Sequence, residues 1–128
     1  MKFTIVCRDC SRLTTDQSLY HCPHCGGTLD FELEIASRAE ELKAVLMNAH
    51  AFWDYAPFFP VLAESKVTMG EGNTALIAAQ RLQEKLGVRR LFLKNETANP
   101  TGSFKDRCMS LSFTKALELG APAVALGS

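Results

Sequence analysis

Short β-like runs of apolar and polar residues open the chain. They lie at residues 3–6, 18–21 and 29–33, and the last of them alternates as a half-exposed strand should. Two pairs of cysteines stand between these runs. We therefore predict a small β ribbon over residues 1–35.

Helical spacing replaces the alternation from residue 37. Ser37 and Glu40 have the spacing of a capping box, and one apolar stripe follows at Leu42, Val45, Leu46 and Ala49. An aromatic segment over residues 51–60 comes next, in which two prolines block a long helix. No basic residue lies between 51 and 65, which argues against a platform for stacking nucleobases. Residues 36–65 are predicted as a helix and an aromatic arm that covers a core.

Strands and helices then alternate over residues 66–128. This pattern predicts part of an α/β domain, with a parallel sheet and helices on its faces. Gly87 and Gly120 are placed to end the two helices at left-handed caps. The predicted elements are strands at 75–77, 90–95 and 122–126, helices at 79–86 and 103–119, and a turn at 127–128.

Composition excludes several classes of protein. The 128 residues contain 14 Lys plus Arg and 14 Asp plus Glu, so no excess positive charge indicates nucleic-acid binding. No apolar run approaches the length that spans a bilayer, and the first residues lack the pattern of a signal peptide. A cytoplasmic protein is predicted.

Four cysteines have the spacing of a metal site: Cys7-x2-Cys10 and, after eleven intervening residues, Cys22-x2-Cys25. Each C-x-x-C turn directs two thiolates at one point, and four thiolates suit a closed, structural zinc ion. Free thiols, a disulfide and an iron–sulfur centre are the alternatives. His21 and His24 are interpreted as exposed polar residues, and Cys108 as a small packing residue.

Lys105 stands at the start of the longest predicted helix, after a turn that contains proline and glycine. With Ser103 as the N-cap, Asp106 occupies the third helical position and suits the positive end of the helix dipole. The same dipole favours the neutral amine of Lys105, the form that attacks an aldehyde. Met109, Ser112 and Ala116 share the helix face of Lys105, and this mostly small face could lie against a flat ring. The alternative is a surface lysine with no chemical role.

Three segments together carry a resemblance to a known family. They are Glu71-Gly72-Asn73-Thr74, Lys94-Asn95-Glu96 and the run from Asn99 to Arg107, which reads N-P-T-G-S-F-K-D-R. In this order they resemble the segments of threonine synthases, which are enzymes of the pyridoxal-phosphate (PLP) β-family with the fold-type-II architecture. Together with the preceding ribbon, the likeness covers nearly the whole chain.

The resemblance implies a fold, a cofactor and roles for individual residues. Lys105 would hold PLP covalently and move protons at substrate carbons, with Ser103 beside the cofactor. Thr74 and Asn95 would lie near the substrate, and Asp106 and Arg107 would fix the turn and the helix. The substrate implied is a phosphorylated amino acid, O-phosphohomoserine, which loses phosphate and gains water to give threonine.

Other functions stay open at this point. A cysteate synthase or a threonine dehydratase shares the same chemistry, and a zinc-ribbon interaction module is a further alternative. The family's glycine loops for the cofactor phosphate lie beyond Ser128, so we expect an N-terminal portion that is inactive by itself. An incomplete sheet with an open edge would favour aggregation or a homodimer.

Overall fold

The computed structural model describes residues 3–126 and begins with a three-stranded antiparallel ribbon. Strand β1 (Phe3–Cys7) lies between β2 (Leu13–Thr14) and β3 (Leu29–Leu33). The last three residues of β1, Ile5, Val6 and Cys7, are buried and form the small core of the ribbon. The strand predicted at residues 18–21 is wrong, because this stretch contributes only an isolated bridge between His21 and Thr28. Asp16 instead turns the chain here, since its carboxylate accepts the Ser18 N–H at 2.9 Å.

Helix α1 (Ala39–Asn48) is entered through a 3-10 turn at Ala36–Arg38. The predicted capping box at Ser37 does not form, because Ser37 lies inside that turn and Arg38 occupies the N-cap position without a side-chain cap. The Arg38 guanidinium ties the helix down instead. It pairs with Glu41 at 2.8 Å and donates to the carbonyl of Pro57 at 2.8 Å.

The aromatic arm follows as a 3-10 segment at Phe52–Phe58 and a second 3-10 turn at Ala63–Ser65. Ala56, Phe58 and Val61 are buried, as expected of a segment that covers a core. The Asp54 carboxylate starts the segment by accepting the N–H groups of His50 and Ala51, each at 2.8 Å. These hydrogen bonds lower the pKa of Asp54.

The next unit consists of β4 (Leu76–Ala78), α2 (Gln80–Leu86) and β5 (Phe92–Lys94). Gly87 ends α2 in the left-handed conformation, with φ of 65°, as predicted. The two strands pair antiparallel, so the predicted parallel arrangement is wrong for them. The physical reason is the compact return after Gly87, which brings the Leu91 carbonyl to the Ala79 N–H at 3.0 Å, beside the end of β4.

Helix α3 (Lys105–Glu118) is the longest element and is followed by Gly120 with φ of 69°. Its buried face is polar and consists of Asp106, Ser110 and Thr114. The strand predicted at 122–126 is wrong, since these residues are exposed and have no strand partner in the described part of the chain. The predicted turn at 127–128 lies outside the described residues.

Apolar side chains of the β4–α2–β5 unit are largely exposed. Leu76 is 64% exposed and Phe92 is 52% exposed, and no described element covers either strand.

The ribbon contacts α3 through Lys115, whose amine donates to Gln17 Oε1 at 2.9 Å. No helix within residues 3–126 is long and apolar enough to cross a membrane. The predicted division into three regions, 1–35, 36–65 and 66–128, stays a prediction.

Candidate active-site segment and metal centre

The four predicted metal ligands come together in the ribbon. The sulfur atoms of Cys7, Cys10, Cys22 and Cys25 all lie within 4.8 Å of one another. Two of the separations are 3.5 Å, between Cys7 and Cys25, and 3.7 Å, between Cys10 and Cys22. Thiolates bound at about 2.3 Å to a tetrahedral zinc ion lie about 3.8 Å from one another. The donor set therefore fits such an ion.

The two C-x-x-C turns are built alike. Ser11 and Gly26 each follow the second cysteine of their turn, and both have left-handed backbones with φ of 58° and 74°. Gly27 brings the two turns close together, since a Cβ there would lie 2.0 Å from Asp9 Oδ2. Two consecutive glycines, Gly26 and Gly27, are typical of a sharp turn, whereas the residue type of Ser11 does not indicate its left-handed conformation.

Electrostatics favour a cation among these sulfur atoms. The backbone N–H groups of His24 and Cys25 lower the pKa of the Cys22 thiol to about 7. The Gly27 N–H lowers the pKa of Cys25, but the neighbouring thiols and burial outweigh it and raise this pKa to about 12. Crowded thiols resist successive ionisation because like charges repel, and a bound cation removes that penalty.

Cys108, predicted to be a packing residue, is exposed, so that interpretation is wrong. It lies two residues after Asp106 on α3, about 200° around the helix from the buried face. His21 and His24 are exposed, as predicted.

Lys105 begins α3 and is exposed. Its amine makes no ion pair with any residue from 3 to 126, which distinguishes it from Lys115 on the same helix, paired with Glu118 at 2.6 Å. Met109 and Ala116, predicted to share its face, are half-buried, whereas Ser112 is exposed. The amine is therefore accessible at the N-terminal end of the helix.

The turn before Lys105 is fixed by two side chains. The Ser103 hydroxyl accepts the Lys105 N–H at 3.2 Å, and the Asp106 carboxylate accepts the Thr101 N–H at 2.9 Å. The predicted N-cap is wrong by one residue, since Phe104 occupies the N-cap position and Asp106 is the second helical residue, whose carboxylate reaches Thr101. Gly102, with φ of 76°, adopts the left-handed backbone between Thr101 and Ser103.

Thr74 and Asn95, predicted to lie near the substrate, stand at the adjoining ends of β4 and β5. The Asn95 N–H donates to the Ala75 carbonyl at 2.9 Å, and the Asn95 Oδ1 atom accepts the Thr97 hydroxyl at 2.6 Å. Thr74 is buried, and its hydroxyl donates to the Glu96 carboxylate at 2.6 Å. The Thr74 hydroxyl is therefore already engaged within the chain.

Glu96 and Arg107 form an ion pair that sequence reasoning missed. The Arg107 Nε and Nη2 atoms donate to the two Glu96 oxygens at 2.8 and 2.9 Å. These bonds, with those from Thr74 and Asn99, place the pKa of Glu96 well below its usual range. Both residues belong to the segments that carried the resemblance, but nothing in their spacing indicated that they would pair.

A second polar network joins the aromatic arm to α3. Trp53 Nε1 lies 3.0 Å from both Glu71 Oε1 and Ser110 Oγ. Burial raises the pKa of Glu71, but contacts with Ser110, with backbone N–H groups and with Thr68 outweigh it and lower the pKa. Glu71 is therefore a buried carboxylate that the fold holds ionised. Nothing in the sequence pattern indicated that Trp53 would be its partner.

Comparison with known proteins identifies the second half of the chain. Residues 67–128 match the family model described as "Pyridoxal-phosphate dependent enzyme". They contain Lys105, the buried network at Glu71 and the Glu96–Arg107 pair.

Threonine synthases match beyond this segment and include the ribbon. The chain is 39% identical to the threonine synthase of Methanosarcina acetivorans over 127 residues, which cover 98% of this chain and 31% of that protein. It is 42% identical to the threonine synthase of Methanocaldococcus jannaschii over 118 residues, covering 88% of this chain and 28% of that protein. The chain thus spans less than a third of the length of these two relatives. No solved structure matches it significantly.

These findings confirm the resemblance to threonine synthases and support a PLP-dependent enzyme segment. They also fit a cluster of four cysteines placed ahead of the family segment. The roles predicted for Lys105, Ser103, Thr74 and Asn95 stay predictions.

The lowered pKa values of Glu71 and Glu96 predict acid sensitivity. A carboxyl with a lowered pKa in the folded state stabilises the fold above its unfolded pKa, about 4.3 for Glu, and this contribution is lost as the pH falls below that value. We expect the free energy of unfolding to be flat from about pH 7 to 5 and to fall below about pH 4.3. Urea titrations at a series of pH values across this range measure the free energy of unfolding.

Two substitutions test the source of the acid sensitivity. Glu71→Gln is expected to make the decline shallower, because Gln has no proton to take up. Glu84→Gln, at an exposed position on α2, should leave the decline unchanged. Equal declines in the wild type and in Glu71→Gln would show that Glu71 does not contribute.

Proposed function

We propose that this chain supplies the lysine segment and the zinc ribbon of a PLP-dependent enzyme with threonine synthase activity. The observation that carries the proposal is the geometry at Lys105. Its amine is accessible and makes no ion pair with residues 3–126, while the turn behind it is fixed by Asp106 and Ser103. A nucleophilic amine on a rigid turn suits covalent attachment to a carbonyl.

Each residue of the segment has a role in this proposal. Lys105 binds the cofactor and afterwards carries protons to and from substrate carbons. Bound PLP withdraws electrons from the substrate. Ser103 orients the first turn of α3 through the Lys105 N–H. Asn95 is proposed to lie near the substrate, O-phosphohomoserine, and Thr74 to act through its contacts with Glu96 and Arg107.

The metal is proposed to be zinc with a structural role. Four thiolates complete a tetrahedral shell and leave no position for substrate or water, which is typical of structural zinc. Soft sulfur donors also disfavour magnesium and calcium. The ion would fold a ribbon whose own apolar core is limited to a few buried residues.

Covalent capture of PLP tests the proposal. The purified 128-residue chain is incubated with PLP, reduced with borohydride and digested, and the modified peptides are identified by mass spectrometry. We expect one dominant modified lysine, Lys105, and loss of that adduct in Lys105→Ala. Lys43→Ala, at an exposed position on α1, should capture PLP like the wild type.

A scattered pattern over surface lysines, unchanged in Lys105→Ala, would contradict the role of Lys105.

Substrate choice is tested in a longer protein that contains these 128 residues and has the full length of the relatives. Phosphate release from O-phosphohomoserine is expected, and turnover of O-phosphoserine or threonine instead would indicate another enzyme of the β-family. The homodimer and the cytoplasmic location stay predictions.

A further inference from the structure

The Glu96 carboxylate joins three segments that are separate in the sequence. It accepts hydrogen bonds from Arg107 at the start of α3, from Thr74 after the glycine turn, and from Asn99 ahead of the lysine turn. Its Oε1 atom lies 2.6 Å from the Thr74 hydroxyl and 2.9 Å from Arg107 Nη2, and its Oε2 atom lies 2.8 Å from Arg107 Nε and 3.0 Å from Asn99 Nδ2. Both oxygens are thus saturated with donors.

The contact with Arg107 fixes the rotation of α3. Arg107 stands two residues after Lys105, within the first turn of the helix. A bidentate pair between a guanidinium and a carboxylate constrains orientation as well as distance. The Nη1 atom of Arg107 packs closely against Gly72. A Cβ at position 72 would lie 3.0 Å from Arg107 Nη1 and 2.9 Å from Phe52 Cβ, so there is no room for a side chain there.

The contact with Asn99 fixes the start of the turn that leads to Lys105. Asn99 is buried, and its Nδ2 atom donates to both the carbonyl and the side chain of Glu96, each at 3.0 Å. Its Oδ1 atom accepts the Gly72 N–H at 2.9 Å, and its carbonyl accepts the Gly102 N–H at 2.8 Å. Asn99 therefore links the glycine turn at Gly72 to the turn before Lys105, and Glu96 holds Asn99 in this orientation.

Thr74 completes the arrangement. Its hydroxyl donates to Glu96 and accepts from Arg107 Nη2 at 3.3 Å. The Thr74 carbonyl also accepts a hydrogen bond from the amine of Lys94. Thr74 therefore contacts both Arg107 and Lys94. The backbone on both sides of Lys105 is consequently tied to one carboxylate.

We propose that Glu96 is the positioning residue for Lys105. It sets the direction in which the amine leaves the first turn of α3 by holding Arg107, Asn99 and Thr74 at once. This inference rests on the proposed function for its chemical readout, since the amine is positioned toward PLP. Its structural content, the coupling of residues 72–74, 99–102 and 105–107 through Glu96, does not depend on the cofactor.

The substitution Glu96→Gln tests the proposal, with Glu41→Gln as the matched control. Gln keeps the length of Glu but places an amide NH2 group against N–H donors, which are Arg107 Nε and Asn99 Nδ2 on one side of the carboxylate and Arg107 Nη2 on the other. Glu41 also forms a bidentate pair with an arginine, Arg38, but remote from the lysine turn. Both variants are made in the 128-residue chain, with melting temperature measured for each.

Two readouts distinguish positioning from general destabilisation. The first is the ratio of PLP trapped on Lys105 to PLP trapped on Lys43 within the same molecule. In an unfolded chain both lysines react alike, so partial unfolding lowers this ratio only in proportion to the unfolded fraction. The second is hydrogen exchange at the amides of Gly72, Thr101 and Lys105. For Glu96→Gln at a temperature where it is folded, we expect the trapping ratio to fall about tenfold, because a 1 Å misplacement of a reacting group can cost about 100-fold in rate and a smaller displacement costs less. Exchange at the three amides should rise.

Glu41→Gln should leave both readouts as in the wild type. A wild-type trapping ratio retained by folded Glu96→Gln would overturn the proposal, and so would unchanged exchange at all three amides. If the wild-type chain traps no PLP on Lys105, the proposed function fails, and the exchange data alone then decide whether Glu96 couples the three segments. Glu96→Asp, which keeps the negative charge but is shorter, should recover part of the trapping ratio, because its carboxylate still attracts the Arg107 guanidinium.

Discussion

Replacing Cys7 with serine is expected to abolish tight zinc binding and to unfold residues 3–33. Cys7 is 1% exposed, ends β1 and lies 3.5 Å from the Cys25 sulfur, so its loss removes a ligand from the centre of the ribbon. Zinc binding to comparable peptide sites contributes about 10–16 kcal/mol at neutral pH, and much of this is folding free energy. The ribbon has too few buried apolar residues to fold without it.

The exposed Cys108 provides the matched control for this experiment. Zinc content is measured by mass spectrometry of the intact protein under native conditions, and ribbon folding by hydrogen exchange of residues 3–33. Cys108→Ser should retain one zinc ion and full protection. Removal of zinc from the wild type with a chelator should reproduce the effect of Cys7→Ser. A ribbon that stays protected in both cases would show that the metal is not what folds it.

Replacing Ser110 with alanine is expected to lower the free energy of unfolding by about 1–3 kcal/mol, the cost of leaving buried polar groups unpaired. The Ser110 hydroxyl donates to the Val67 carbonyl at 2.6 Å and accepts from Trp53 Nε1 at 3.0 Å. Alanine provides neither bond, although it is the better helix former. Loss of hydrogen bonding thus outweighs the gain in helix propensity.

Ser112 gives the same chemical change two residues later on the same helix, at an exposed position. Ser112→Ala should alter stability by less than about 0.5 kcal/mol. Urea unfolding followed by tryptophan fluorescence measures both variants. A second buried substitution, Thr114→Val, removes the acceptor of the Val67 N–H and should destabilise by a similar amount to Ser110→Ala. Equal stability of the two alanine variants would contradict the contribution assigned to the network.

Features that depend on neighbouring residues could be predicted from the sequence. The C-x-x-C turns place two thiolates each, and the sulfur atoms of Cys7 and Cys25 do meet across 18 positions. Gly87 and Gly120 have the left-handed backbones that their places after helical stretches indicated. In each case the physical determinant, a tight turn or a cap, is contained within a few residues.

Features that depend on distant residues could not be predicted. The Trp53–Ser110 hydrogen bond joins positions 57 apart, and the Glu96–Arg107 pair joins positions 11 apart across a turn. Hydrophobic spacing says nothing about such donor–acceptor pairs. The antiparallel direction of β5 likewise depends on the hydrogen bond from the Ala79 N–H to the Leu91 carbonyl. This bond joins two backbone groups, so the pattern of side chains does not indicate it.

The polar inner face of α3 also bears on which substitutions the chain can accept. Apolar cores tolerate exchanges among side chains of similar volume, because one methyl group packs much like another. Asp106, Ser110 and Thr114 are instead held by directional hydrogen bonds, so a replacement must match the chemistry, length and direction of the side chain together. Variation along this helix should therefore be concentrated on the part of its exposed face away from Lys105, while its buried face stays almost unchanged.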